Sequence, residues 1–388
     1  MYYNSFIHKS FTREAAIVMT HSDQNRIIVS FCIPVYNNSE GAVKIVNALL
    51  SSPDTRFEVV VSDNASTDNV QELLAQIHDN RFKYFRNAQN LGAHKNWLHS
   101  LELGRGEWLY LIMGRDMMCG ENISRLITFL EQAHENGVVY LKDHGHFREG
   151  LDIRSGIDAM SSFIGYNHQT GEIFRREEFS AIPEEVLQHY FSIGDMYPEN
   201  FAIRDLLLKG KGAFIHSGVV EGGFVTDKAK VTSKVEYGLG IQKTYFAPPR
   251  RTKQFFEQID MLDELTENFS RQELDKYFRI KYCSLKYFSL LTIVSYAYRI
   301  GCKTPYHAAH YGHPVMHIGI PEMIRNILKA YRDTKAHLKE KGSYSFRRQL
   351  IISFCTPAAI IHVTAKTIIR SIIEPLGIWK ILHRIRNY

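Results

Sequence analysis

Three short units between Ile27 and Asp116 constrain the fold more than anything else in the chain. They are Ile27-Ile-Val-Ser-Phe-Cys-Ile-Pro-Val-Tyr-Asn37, Phe57-Glu-Val-Val-Val-Ser-Asp-Asn-Ala-Ser-Thr-Asp68 and Glu107-Trp-Leu-Tyr-Leu-Ile-Met-Gly-Arg-Asp116. Each opens on an apolar, partly β-branched run and closes on Gly, Pro, Asn or Asp, with segments of helical period and length between them. Alternating units of this kind predict a mostly parallel sheet with ligands at the carboxyl ends of its strands. No G-x-G-x-x-G follows the first run, which argues against a nicotinamide-dependent dehydrogenase.

Strands are expected at Ile27–Ile33, Phe57–Val61, Phe82–Phe85, Trp108–Met113, Val138–Leu141, Ile173–Arg176 and Ala213–His216. Pro34 is expected to end the first, because it has no amide to give the ladder. Asp68 and Gln71 resemble a capping box that starts the second helix. Helices are further expected after Ser39, after Gly92, over Asn122–Glu135 and over Pro198–Lys209. The Gly-, His- and Asp-rich stretch 142–171 predicts long loops over the site, and 217–253 predicts a lid and a linker.

At 388 residues the chain has room for a catalytic domain and a second module. The division expected is an N-terminal extension at 1–26, an α/β domain at 27–250 and an α-helical region at 251–388. A net charge of +6 is too modest to imply a nucleic-acid partner. Five scattered cysteines without a C-x-x-C pair fit a reducing, cytoplasmic setting. Residues 1–26 lack the apolar centre of a signal peptide. The apolar runs Leu290–Ala297 and Leu350–Val363 are too short or too interrupted to span a bilayer unaided, which takes about 20 residues. His307, His310, His313 and His317 have no cysteine or carboxylate among them and lack a zinc spacing.

The segment from about Ile27 to Ile215 resembles the inverting family 2 glycosyltransferases of the GT-A fold, of the kind that build bacterial polysaccharides and glycoconjugates. The resemblance rests on Ile33-Pro-Val-Tyr-Asn37, Ser62-Asp-Asn-Ala-Ser-Thr-Asp68 and Asn90-Leu-Gly-Ala-His-Lys-Asn96, in the family's order and spacing. It implies a UDP- or dTDP-type sugar donor, a carbohydrate or lipid-linked glycan acceptor, and inversion at the anomeric carbon. The alternative on the same scaffold is a catalytically weak nucleotide-sugar or glycan-binding protein.

On that resemblance Pro34, Tyr36, Asn37, Asp63, Asn64, Gly92, Lys95, Arg115 and Asp116 are donor-side candidates. Asp63 is expected to accept the imide proton of a base, and Asp68 to cap a helix. Asn37 is either a turn residue or a nucleotide contact. Gly92 lets backbone approach a ligand, and Lys95 reaches a phosphate or solvent. The family's Asp-x-Asp is replaced here by Gly114-Arg115-Asp116. Asp116, with His216 as a second candidate ligand, is left to hold Mg²⁺ or Mn²⁺ alongside the donor, or Arg115 contacts the diphosphate directly. Counting back from Gly210 places the general base at Glu199, with Asp195 the competitor. Arg175 and Arg176 either steer acceptor or phosphates, or form a charged turn.

From Phe346 to Tyr388, Ile and Leu recur at helical intervals beside Arg347, Arg348, Lys366, Arg370, Lys380, His383, Arg384 and Arg386. That composition suits either peripheral docking on an anionic membrane, at its inner face, or packing on the catalytic domain or a second subunit. Homo-oligomerisation is left open.

Overall fold

The computed structural model describes residues 26–114, 116–144, 150–165, 169–193, 197–223, 248–286, 289 and 320–373. Its centre is an eight-stranded sheet in the order β3-β2-β1-β4-β8-β6-β9-β7. The strands are β1 (Val29–Val35), β2 (Phe57–Asp63), β3 (Phe82–Arg86), β4 (Trp108–Leu111), β6 (Val138–Asp143), β7 (Asp152–Arg154), β8 (Glu172–Arg175) and β9 (Lys211–Ile215). The β1–β2, β2–β3, β1–β4 and β6–β9 pairs are parallel, whereas β8 runs antiparallel to both of its neighbours, β4 and β6. Six strands therefore point one way. Their carboxyl ends share one edge with the amino end of β8. A separate ribbon pairs β5 (Asp116–Met118) with β10 (Val220–Gly223).

β1 and β2 are buried along their whole length, as near-continuous apolar runs covered on both faces must be. One face packs on α1 (Ser39–Leu50), α2 (Val70–Leu74) and α4 (Ile123–Glu135) through Ile45, Leu49, Leu74, Leu126 and Leu130. The other packs on α3 (Ala93–Glu102), α5 (Gly156–Phe163), α6 (Arg176–Ser180), α7 (Glu184–Ile193) and α8 (Glu199–Lys209). This second core continues without a break into α9 (Pro248–Asp263), α10 (Arg271–Cys283), α11 (Ile320–Glu340) and α12 (Phe346–Ile373), through Phe255, Phe278, Leu338 and Ile352.

Several boundaries differ from expectation. β1 does not stop at Pro34 but runs on to Val35. The Cys32 carbonyl bonds Ile112 on the β4 side and that of Val35 bonds Asn64 on the β2 side. Pro34, of the same parity as Cys32, thus faces the β4 side beyond the last β1–β4 pair, where a missing amide costs nothing. The second helix starts at Val70 and has no capping box. Asp68 instead receives the Ser39 amide at 3.1 Å, at the start of α1, and that of Val70 at 3.4 Å. The stretch 142–171 is not all loop, since it finishes β6 and supplies β7 and α5. Residues 248–253 are no linker: Pro248 and Pro249 open α9, in the first turn where proline is tolerated. The histidines at 307–317 lie outside the described residues.

Candidate active site

The donor-side loops at the carboxyl edge are tied to one another before any ligand is considered. Asn37, at φ +49, donates its amide to Ser66 Oγ at 2.8 Å and accepts the Thr67 amide on Oδ1 at 2.6 Å. These bonds give Asn37 a turn role. Asn64 bridges to the next loop by donating to Asn90 Oδ1 at 2.9 Å and accepting the Leu91 amide at 2.8 Å. Asn96 accepts from Ser62 at 2.8 Å and from Asn87 at 2.9 Å. These amide side chains fix the path of 87–92, which ends at Gly92 with φ +85, a conformation that favours glycine. Tyr36 is about half exposed, and Lys95 is exposed in the first turn of α3.

Asp63 is fully buried. Oδ1 accepts the Ser66 amide at 2.9 Å, and Oδ2 accepts the Tyr84 hydroxyl at 2.6 Å and Arg86 Nη1 at 2.5 Å. Burial alone would raise its pKa, but the bonds from Ser66, Tyr84 and Arg86 outweigh it and hold the carboxyl below its usual range. Most of the acceptor capacity expected for a base is therefore spent within the protein. The more exposed partner is Arg86, which the sequence pattern did not single out.

Behind these loops lies a buried ionisable cluster. Lys142, next to last in β6, and Glu172, the first residue of β8, are in register, with Nζ 4.0 Å from Oε1. Lys142 Nζ also donates to the Thr170 carbonyl at 3.1 Å. Glu199, the first residue of α8, is 2% exposed, and neither of its carboxyl oxygens nor Glu172 Oε2 has a hydrogen-bond partner. Burial, and then the neighbouring Glu172, push the Glu199 pKa well above the usual carboxylate range, and the nearby Gln169 and Lys142 offset this only in part. Glu172 is likewise raised by burial, against the pull of Lys142, while burial lowers Lys142. Desolvated carboxylates without donors are costly to keep ionised. They are suited to take a proton from a hydroxyl brought into bonding distance.

Asp116 is 1% exposed, and its Oδ2 is bonded by the Thr170 hydroxyl. Asp143 holds the neighbouring turn by accepting the Ser217 amide at 3.0 Å, the Ser217 hydroxyl, and the Tyr110 hydroxyl at 3.0 Å. His216 is half-buried beside that turn. Among the described residues no group of three or more His, Cys, Asp or Glu side chains could hold a metal. One partly engaged carboxylate and one histidine do not fit a resident ion held by protein alone.

Arg115 and Asp195 lie outside the described residues. Arg175 ends antiparallel β8 and Arg176 opens α6, both on the edge opposite the carboxyl ends of the parallel strands, and Arg176 Nε donates to the Gly106 carbonyl at 2.8 Å. Lys142, Asp143, Thr170 and Glu172 were not anticipated. The only signal for Lys142, Asp143 and Glu172 was charge placed hard against the apolar runs Val138–Leu141 and Ile173–Phe174, and Thr170 had none.

Residues 30–191 match the family model described as glycosyl transferase family 2. This segment is a family 2 glycosyltransferase domain. The abequosyltransferase RfbV of Salmonella typhimurium is 30% identical to it over 123 residues, which are 30% of this chain and 36% of that protein. The UDP-Glc:alpha-D-GlcNAc-diphosphoundecaprenol beta-1,3-glucosyltransferase WfaP of Escherichia coli is 26% identical over 104 residues, covering 27% and 41% of the two chains. The chain thus spans less than half the length of either curated relative. Among solved structures, the Pyrobaculum calidifontis mannosyltransferase in complex with GDP-Man and Mn²⁺ superposes with a TM-score of 0.46 at 13% identity, over 88% of this chain and 87% of that one. The glycosyltransferase domain carries both its loop network and its Glu172–Lys142 pair within the matched residues, whereas Glu199 follows them.

Proposed function

We propose that this chain transfers a sugar from a UDP- or dTDP-type donor to a hydroxyl of a carbohydrate or lipid-linked glycan, with inversion, and that Glu199 is the base. The observation that carries this reading is the Glu199 carboxyl group, buried at the start of α8 with both oxygens unpartnered beside Glu172 and Lys142. In the proposed step Glu199 takes the proton of the acceptor hydroxyl as that oxygen forms a bond to the anomeric carbon. The bond from that carbon to the phosphate oxygen breaks on the opposite face, and the nucleoside diphosphate leaves with the electron pair. The loops at 36–37, 63–67 and 86–92 hold the nucleotide, with Arg86 and Lys95 supplying positive charge. Asp116 would hold a divalent ion supplied with the donor diphosphate, and that ion would offset the charge developing on the leaving group.

The experiment is a panel of nucleotide sugars assayed for thermal stabilisation, donor consumption and, with glycan acceptors, the anomeric configuration of the product. Stabilisation with turnover and an inverted product is expected. A shift in melting without turnover for every donor and acceptor would overturn the enzymatic reading in favour of a binding protein.

A further inference from the structure

α12 shows two faces of opposite character. Phe346, Leu350, Phe354, Ile361, Ile368 and Ile369 are 41–74% exposed. The first five recur at intervals of four or seven, so they share one side of a helix about 42 Å long. An exposed apolar stripe of this length marks an interaction surface rather than ordinary solvent exposure. Against the expectation that the run Leu350–Val363 is too short or too interrupted to span a bilayer, the segment Phe346–Lys366 qualifies by length and composition, and only 22% of its apolar window is buried.

The opposite face decides between crossing and lying flat. Arg348 makes a bidentate ion pair with Asp263 at 2.6 and 2.8 Å, and Asp275 lies 3.5 Å from its Nε. Thr356 bonds the Tyr282 hydroxyl, and Val363 is buried with Met323 and Ile327. These contacts hold α12 lengthwise against α9, α10 and α11. Threading it through a bilayer would strip Thr356 and Val363 from α10 and α11 and separate Arg348 from Asp263 and Asp275, so the packed face favours a helix that lies flat. Of the basic residues expected to face a membrane, Arg348 therefore does not.

The charge near the stripe selects the kind of surface. Arg347 is exposed beside its first residue, and Lys366 near its other end. A cleft of about 580 Å³ between the starts of α10 and α12 is lined by Arg271, Arg347 and Phe346, with Asp275 lying 3.5 Å from Arg348 and 3.8 Å from Arg347, so that Arg271 and Lys366 add to an Arg347 that is only partly offset. Residues 374–388 add Lys380, Arg384 and Arg386 against the single acid Glu374. Apolar side chains bordered by cations fit anionic lipid, with rings and aliphatics at the acyl boundary and guanidinium groups among headgroups.

We propose that the solvent-facing side of α12 is a docking face that lies in the plane of an anionic membrane. The inference does not depend on the sugar transferred. Full-length protein is floated with vesicles of phosphatidylcholine alone or with a third phosphatidylglycerol, beside the double variant Phe354→Glu, Ile361→Glu. Flotation with the anionic vesicles at least tenfold above the neutral ones is expected, with loss in the variant and release by alkaline carbonate. Thermal melting establishes that the variant folds. If it does not, Phe354→Trp supplies the test, because its added emission should shift to the blue and be quenched by shallow brominated lipid only. Equal flotation of folded variant and wild type overturns the proposal, as does resistance to carbonate, which marks a spanning helix. A dimer that the variant dissociates, with no flotation of either protein, also overturns it and assigns the stripe to a second copy.

Discussion

Lys142 and Glu172 face each other in register across β6 and β8, Nζ 4.0 Å from Oε1, and neither residue is more than 1% exposed. A lysine that deep is held in place by the charges around it. Glu172 comes first among the groups that favour its ammonium form, followed by Glu199 and Asp143.

Removing that cation should be costly in a pH-dependent way. Lys142→Met leaves Glu172 and Glu199 as neighbouring buried carboxyls with no cation between them. Breaking a buried ion pair from one side typically costs about 3–5 kcal/mol. Both carboxyls answer by binding protons, so the loss should be large at pH 8 and smaller at pH 5. Urea unfolding at the two pH values measures it. A loss independent of pH would show that Lys142 matters by packing alone.

Glu199→Gln should separate catalysis from stability. The variant keeps the shape but cannot take a proton, so turnover should fall by a factor of about 10³ or more while donor affinity survives, the loss being confined to the transition state. Because the folded-state pKa of Glu199 is raised, the stability it contributes in the protonated form is present below about pH 4.5 and is lost as pH rises through the raised value. Glutamine escapes that loss. The variant should therefore melt with the wild type near pH 4 and above it at pH 8, and wild-type turnover should climb with pH on its acid limb. An unchanged rate would move the base elsewhere, and Asp195→Asn is the next variant to assay.

Much of the scaffold could be read from the chain because its strands are continuous apolar runs stopped by Asn, Asp or Gly. β1, β2, β4 and β6 were placed to within two residues at each end. β5, β7 and β10 were not, since three or four residues such as Asp116-Met-Met118 carry no period to detect. The site divided the same way. Asn37, Asp63 and Glu199 stand next to strong strand or helix signals, and the structure brings them to one edge. Glu172 and Lys142 are 30 residues apart, and only the antiparallel insertion of β8 between β4 and β6 makes them partners. Arg86 escaped notice because its relation to Asp63 arises from the β2–β3 register, which pairs the two residues directly.

That register shapes the prediction for Asp63. Asp63→Ala removes the acceptor for the Ser66 amide, the Tyr84 hydroxyl and Arg86, freeing a guanidinium that the carboxylate now aims. Nucleotide affinity should drop by about 1–3 kcal/mol, the usual range for a lost bond to a charged group. Arg86→Met should produce most of the same loss, and the double variant little more, since the two act through one contact. Isothermal titration with UDP and dTDP measures the cycle. Additive losses would mean that Asp63 meets the base independently of Arg86.

The last prediction concerns the metal, where Gly114-Arg115-Asp116 stands in place of the Asp-x-Asp that the family resemblance implies. Asp116 Oδ2 is engaged by Thr170, and among the described residues no group of three or more His, Cys, Asp or Glu side chains could hold a metal ion. A hard divalent cation needs about six oxygen ligands, and a nucleoside diphosphate brings several. Mn²⁺ titrated into the free protein should therefore bind weakly, at millimolar concentration or above, and at least tenfold tighter once UDP is saturating. By linkage, Mn²⁺ should tighten UDP by the same factor. Asp116→Asn should abolish this mutual enhancement and leave metal-free UDP affinity nearly intact, because the nucleotide loops do not include it. Tight Mn²⁺ binding to the free protein would contradict this arrangement. Undiminished turnover in excess chelator would place the offset of the leaving-group charge on arginine and lysine side chains, with Arg115→Ala the variant that identifies the donor.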